Sequence, residues 1–232
     1  MQDLSELERK LDFVFNNKDL VKTSLTHRSF INEHRDWPLP HNERLEFLGD
    51  AVLELAVTGY LYNTFSKPEG ELTNLRSALV NHRMLSDVAK RLGLEDHLLL
   101  SRGEAKDKGR ARQVILANAI EAVIGAMYLD GGYDKTHAFI DKYILVELPQ
   151  IIETGSYIDP KSRLQELVQE KSGITPTYQV ISEIGPDHNK VFTMGVFVGP
   201  NEVGKGIGPS KQDAEVAAAE DALATETWKQ HA

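Results

Sequence analysis

The chain contains no cysteine, which excludes disulfides and thiolate metal centres and agrees with a reducing compartment. Proline accounts for only 9 of 232 residues and no low-complexity tract occurs, so a folded chain is expected rather than a disordered one. No 18-residue apolar segment is seen, and the first residues, MQDLSELERKLDF, are charged where a signal peptide would be apolar. A cytoplasmic protein without a membrane partner is the expectation. Positive charge is also scarce, with 26 Lys and Arg against 35 Asp and Glu and a net charge of −9. Taken alone, this argues against a nucleic-acid partner, because phosphate binding rests on Lys and Arg. A cut after Ser156 leaves 19 basic and 24 acidic residues before it, and 7 and 11 after it. Neither part is basic, so any such contact has to come from local clusters.

What is present divides the chain in two. From Leu4 to about Ile152 apolar residues recur at helical spacings, as in LEFLGDAVLELAVTGYLY and VILANAIEAVIGAMYL. Helix stops are expected at 67–70, 102–109 and 131–132, where Gly, Pro and charge collect. The stretch ETGSYIDP suits a linker, placed at 154–158. Beyond it Asp159 can cap a helix running KSRLQELVQEKSG. TPTYQVISEIG, KVFTMGVFVG and NEVGKGIG then read as strands, and an alanine-rich helix starts at Lys211. The expected fold is a mainly α domain over 1–153, followed by a small α+β domain of order α-β-β-β-α over 159–229.

Glu43, Glu46 and Asp50 stand at i, i+3 and i+7, so on a helix their carboxylates share one face. Three like charges so placed repel unless a cation or a proton neutralises them, and a hard divalent ion with oxygen ligands is the simplest remedy. A solvated acidic face is the alternative. Gly49 beside Asp50 is unfavourable within a helix and implies close approach by something. A second segment, LANAIEAVIGAMYLD, isolates Asn118 and Glu121 at i, i+3 on an otherwise apolar helix, where buried polar groups need partners. They either complete an oxygen-only site with the first helix, or Glu121 is a core acid paired with Arg44 or Arg76.

Residues 41–56, HNERLEFLGDAVLELA, resemble the signature of the ribonuclease III family. THRSF (26–30), GELTNLR (70–76) and ILANAIEAVIGAMYLDGGY (115–133) match its other landmarks in order. The resemblance implies a nuclease domain in which Asp50 and Glu121 are catalytic acids. Glu46, Asp50, Asn118 and Glu121 would hold Mg²⁺, with Mn²⁺ as substitute, and Glu43 and Glu71 would be supporting acids. The family's usual residue at position 118 is Asp; Asn keeps an oxygen ligand and removes one charge, which should lower metal affinity. By resemblance the enzyme hydrolyses double-stranded RNA to 5′-phosphate and 3′-hydroxyl ends with short 3′ overhangs, in rRNA and mRNA processing. Phe47 is either core or, as the family implies, a plug into the partner subunit of a homodimer. A carboxylate-bridged di-iron bundle is disfavoured, because no His follows a Glu at the Glu-x-x-His spacing.

Lys106, Lys108, Arg110 and Arg112 form the densest basic cluster, which is either a solvated loop or, beside a cleft, a neutraliser of RNA phosphates, while His27 and Arg28 are weaker candidates that could equally be a helix cap or core contact. The second domain resembles a double-stranded-RNA-binding domain through its element order and the run GIGPSK (206–211). Ser210 and Lys211 open its last helix, where free N–H groups favour phosphate. His188 can enter a minor groove, and Gln165 and Glu166 can meet 2′-hydroxyls. A protein that binds RNA without cleaving it, its site weakened by Asn118, is the remaining alternative.

Overall fold

The computed structural model describes residues 4–106, 109–186 and 190–231. They divide into two compact units, Met1–Tyr157 and Ile158–Ala232.

The first unit is helical, as expected. It comprises α1 (Ser5–Leu11), α2 (Lys18–Ser24), α3 (Arg28–Glu33), α4 (Glu43–Thr64), α5 (Glu69–Val80), α6 (His82–Arg91), α7 (Arg110–Gly131), α8 (Tyr133–Tyr143) and α9 (Leu148–Thr154). The boundaries follow local chemistry. Asn81 caps α6 by accepting from the Met84 N–H at 2.9 Å, as short polar side chains do at helix starts. Helix α4 stops at Phe65, three residues before Pro68, and Gly132, at φ 79°, closes α7. Asn42, almost fully buried, anchors the entry to α4 by donating its backbone N–H to the Thr26 carbonyl and its side-chain amide to Ser24.

Helices α4 and α7 form the centre, joined by α2, α6 and α8. Leu53, Ala56, Leu116, Ile120, Val123 and Ile124 are sealed from solvent between them. Of the described helices, α7 alone is long and apolar enough to cross a membrane, yet most of it is buried in this core. Its composition is that of a helix surrounded by other helices.

The second unit is α10 (Pro160–Ser172), β1 (Thr177–Ile184), β2 (Val191–Val198), β3 (Asn201–Gly208) and α11 (Lys211–Thr225). Asp159 caps α10 as expected, accepting from the Ser162 N–H at 2.9 Å. The strands form an antiparallel sheet in the order β1-β2-β3. Val198 pairs with Asn201, which leaves a two-residue hairpin loop, and Gly199 supplies its positive φ of 58°. The alanines of α11 lie against β3 so closely that a Cβ at Gly206 would fall 2.1 Å from the Ala218 nitrogen. Leu164, Val168, Val196 and Trp228 complete this core.

Candidate active site

Glu46 and Asp50 project from the first half of α4, and Asn118 and Glu121 from the middle of α7. The two helices bring these four together because their backbones touch. A Cβ at Gly49 would lie 1.7 Å from the Glu121 carbonyl oxygen, and one at Gly125 would lie 2.2 Å from the Leu45 carbonyl oxygen. The close approach that Gly49 implied is therefore that of α7 itself.

Electrostatics reports the convergence. Burial, followed by the charges of Asp50 and Glu46, pushes the Glu121 carboxyl from 4.5 up to about 8. Glu46 is raised as well, first by burial and then by Glu43, with a smaller part from Asp50. Opposing this, the Asn118 amide donates a hydrogen bond to Glu46, and the charge of His82 also favours the ionised form. Both shifts have one physical origin, which is carboxylates gathered in a partly dry place without an adequate counter-charge. Neither Arg44 nor Arg76 provides one; Arg76 instead donates to the Thr58 hydroxyl at 3.2 Å. Glu121 is thus not the salt-bridged core acid that the sequence left open.

The acids converge without closing into a cage. Among the described residues no group of three His, Asp or Glu side chains stands ready to hold an ion. An oxygen-only donor set with excess negative charge nonetheless fits a hard divalent cation. Glu43, at the rim, is held by Arg28 at 3.3 Å and His41 at 3.7 Å. Glu71 lies on α5 paired with Lys67 at 2.5 Å, and it is not among the charges acting on Glu46 or Glu121. His82, which does act on Glu46, escaped the sequence reading because a lone His on a distant helix carries no pattern.

Phe47 is 81% exposed, so it is not core. Leu55 and Tyr62, also exposed, continue its face of α4. The basic cluster needs one correction. Arg112 is buried, with its Nε donating to Glu95 at 3.0 Å, and a guanidinium turned into the fold is not presented to phosphate. Lys106 is exposed. Lys108 and His188 lie outside the described residues, as does the Arg110 side chain. His27 caps α3, its Nδ1 accepting from the Ser29 N–H, while Arg28 is exposed and engaged with Glu43.

In the second unit Gln165 and Glu166 are exposed on α10. Ser210 caps α11, accepting from the Asp213 N–H at 3.1 Å and donating its hydroxyl to the Asp213 carboxylate at 2.6 Å. Lys211 is exposed, with its ammonium 5.8 Å from the Phe192 ring centroid.

A helical unit with clustered carboxyls, followed by an α-β-β-β-α module, defines a nuclease domain joined to a double-stranded-RNA-binding domain. Residues 17–148 match the model of the Ribonuclease-III-like family, and 160–225 that of the double-stranded RNA binding motif. The chain belongs to the ribonuclease III family and is an endoribonuclease that binds double-stranded RNA. It is 45% identical over 221 residues to Ribonuclease 3 of Borreliella burgdorferi, covering 95% of this chain and 90% of that one. With Ribonuclease 3 of Streptococcus thermophilus the identity is 45% over 228 residues, covering 95% and 98%. Among solved structures, the nuclease domain of ribonuclease III from Campylobacter jejuni superposes with a TM-score of 0.57 at 38% identity. That match covers 63% of this chain and 99% of that one, and for that protein structural flexibility is described in the region involved in dimer formation.

Proposed function

We propose that the chain cleaves double-stranded RNA in a reaction dependent on Mg²⁺, for which Mn²⁺ can substitute, leaving 5′-phosphate and 3′-hydroxyl ends with short 3′ overhangs. The observation that carries this reading is the gathering of Glu46, Asp50, Asn118 and Glu121 at one helix crossing, with Glu121 raised to about 8 by burial and by its acidic neighbours. These four residues would hold the ion. Bound there, it would supply a Lewis acid that activates water and neutralises charge on the leaving 3′ oxygen. Asp50 and Glu121 act by orientation and by accepting the proton of the attacking water; they do not attack phosphorus. Asn118, beside Glu46, favours its ionised form, the form in which a carboxylate serves as a ligand.

The reading extends to assembly and place. The exposed apolar face of Phe47, Leu55 and Tyr62 supports a homodimer, whose two-fold symmetry suits the two strands of a duplex. The exposure of Lys106, Lys211, Gln165 and Glu166 supports their contact with RNA. The proposed substrates are rRNA and mRNA precursors in the cytoplasm. A long uniform duplex incubated with the protein and Mg²⁺ or Mn²⁺, followed by analysis of the product ends, tests the reading. Short duplexes with 5′ phosphates and recessed 5′ ends are expected. Intact RNA at high concentrations of both ions would overturn the cleavage reading and leave a protein that binds RNA without cutting it.

A further inference from the structure

The crossing of α4 and α7 is closed by two glycines in reciprocal contact. A Cβ at Gly49 would meet the Glu121 carbonyl oxygen at 1.7 Å and the Gly125 nitrogen at 2.8 Å. One at Gly125 would meet the Leu45 carbonyl oxygen at 2.2 Å and the Gly49 nitrogen at 3.1 Å. All four atoms are backbone, which cannot swing aside as a side-chain tip can. Gly49 directly precedes Asp50 and lies one turn beyond Glu46, and Gly125 lies one turn beyond Glu121. The contact therefore sets the span across which side chains of α4 and α7 reach toward a common ligand. Gly59, further along α4, is different; a Cβ there meets nothing within 4 Å.

We propose that Gly49 and Gly125 are positioning residues that set the ion size accepted by the acidic site. This rests on the reading of that site as a divalent-metal centre. A methyl at Gly125 must push its contact with Leu45 from 2.2 Å out to at least 3.0 Å, the closest approach real Cβ atoms make. Mg²⁺ takes its oxygens at about 2.0–2.1 Å and demands near-ideal geometry, whereas Ca²⁺ accepts about 2.3–2.6 Å in flexible arrangements. Across an ion held from both helices two such bonds add, a difference of about 0.4–1.2 Å, and the enforced separation is of that size. A widened crossing loses Mg²⁺ while still admitting Ca²⁺.

The test is calorimetric titration of Mg²⁺ and Ca²⁺, each alone, into the full chain stripped with chelator, for the unaltered protein, Gly125→Ala and Gly59→Ala. Circular dichroism verifies that each is folded. Gly125→Ala should lower Mg²⁺ affinity about tenfold and change Ca²⁺ affinity by less than about threefold, moving the ratio toward the larger ion. Gly59→Ala should leave the ratio unchanged. A destabilised helix pair with no role in spacing would weaken both ions alike, and an unchanged ratio in folded Gly125→Ala overturns the inference. If Gly125→Ala does not fold, the unaltered protein decides the matter: a crossing fixed for the smaller ion binds Ca²⁺ at least about tenfold more weakly than Mg²⁺, and equal affinities overturn the inference. Unaltered protein that binds neither ion refutes the metal centre itself.

Discussion

Replacing Glu121 by Gln keeps the shape of the side chain and removes its charge, so it isolates what clustered carboxylates cost the metal-free protein. In the fold this group titrates at about 8 rather than 4.5, which means the folded state holds the proton more tightly than the unfolded chain. The penalty is absent below about pH 4.5, grows as the unfolded chain ionises, and reaches its full size once the pH passes about 8. Each tenfold difference in proton affinity is worth about 1.4 kcal/mol, so pH 7 corresponds to roughly 3 kcal/mol. Partial access to solvent screens some of this and leaves about 2 kcal/mol. For a chain of this size that is a rise of roughly 4–8 °C in the unfolding midpoint. The assay is thermal unfolding in chelator between pH 4.5 and 9, following the helical signal of the unaltered protein and Glu121→Gln. The midpoints should meet near pH 4.5, with the variant higher at pH 7 and above. Added Mg²⁺ should reverse the order by stabilising only the unaltered protein. A variant equally or less stable across the whole range would refute the claim that unbalanced negative charge gathers at this crossing.

Asn118→Asp removes the amide that Glu46 accepts from and adds a charge, so it should destabilise the chelated protein and lower the Mg²⁺ concentration giving half-maximal cleavage; an unchanged requirement would place position 118 away from the ion. Phe47→Ala deletes an exposed side chain, so it should alter the stability of a single subunit by no more than about 0.5 kcal/mol while shifting sedimentation toward the monomer. Arg112→Gln removes the partner of Glu95, whose carboxylate is itself well exposed, so it should cost no more than about 1 kcal/mol, with duplex affinity unchanged in a filter-binding assay. Lys211→Ala should weaken duplex binding irrespective of sequence and reduce the salt dependence by about one phosphate contact.

The helices and strands were legible because their periods differ and because Asp159 and Gly132 mark ends in ways that one residue can announce. Glu46 and Asp50 were legible for the same reason, since a single helix sets their spacing. The pairing of Asp50 with Glu121 across 70 intervening positions was readable only as a polar group lacking a partner on an apolar helix. Arg112 was misread because a run of Lys and Arg looks uniform in sequence, while the start of α7 turns one member inward to Glu95. His82 and Gly125 act through neighbours that only the tertiary fold supplies, one through the charge it brings to Glu46 and the other through the carbonyl it lets approach.

The near-membrane hydrophobicity of α7 has a consequence for how the protein is made. A helix of that composition is a hazard while uncovered, open to aggregation. Synthesis runs from the N-terminus, so α1 to α6 have left the ribosome before α7 emerges. The surfaces that receive it, chiefly α2, α4 and α6, already exist at that moment. Chain order thus shortens the interval in which the most vulnerable segment is exposed, and a circular permutant opening with α7 would lengthen it.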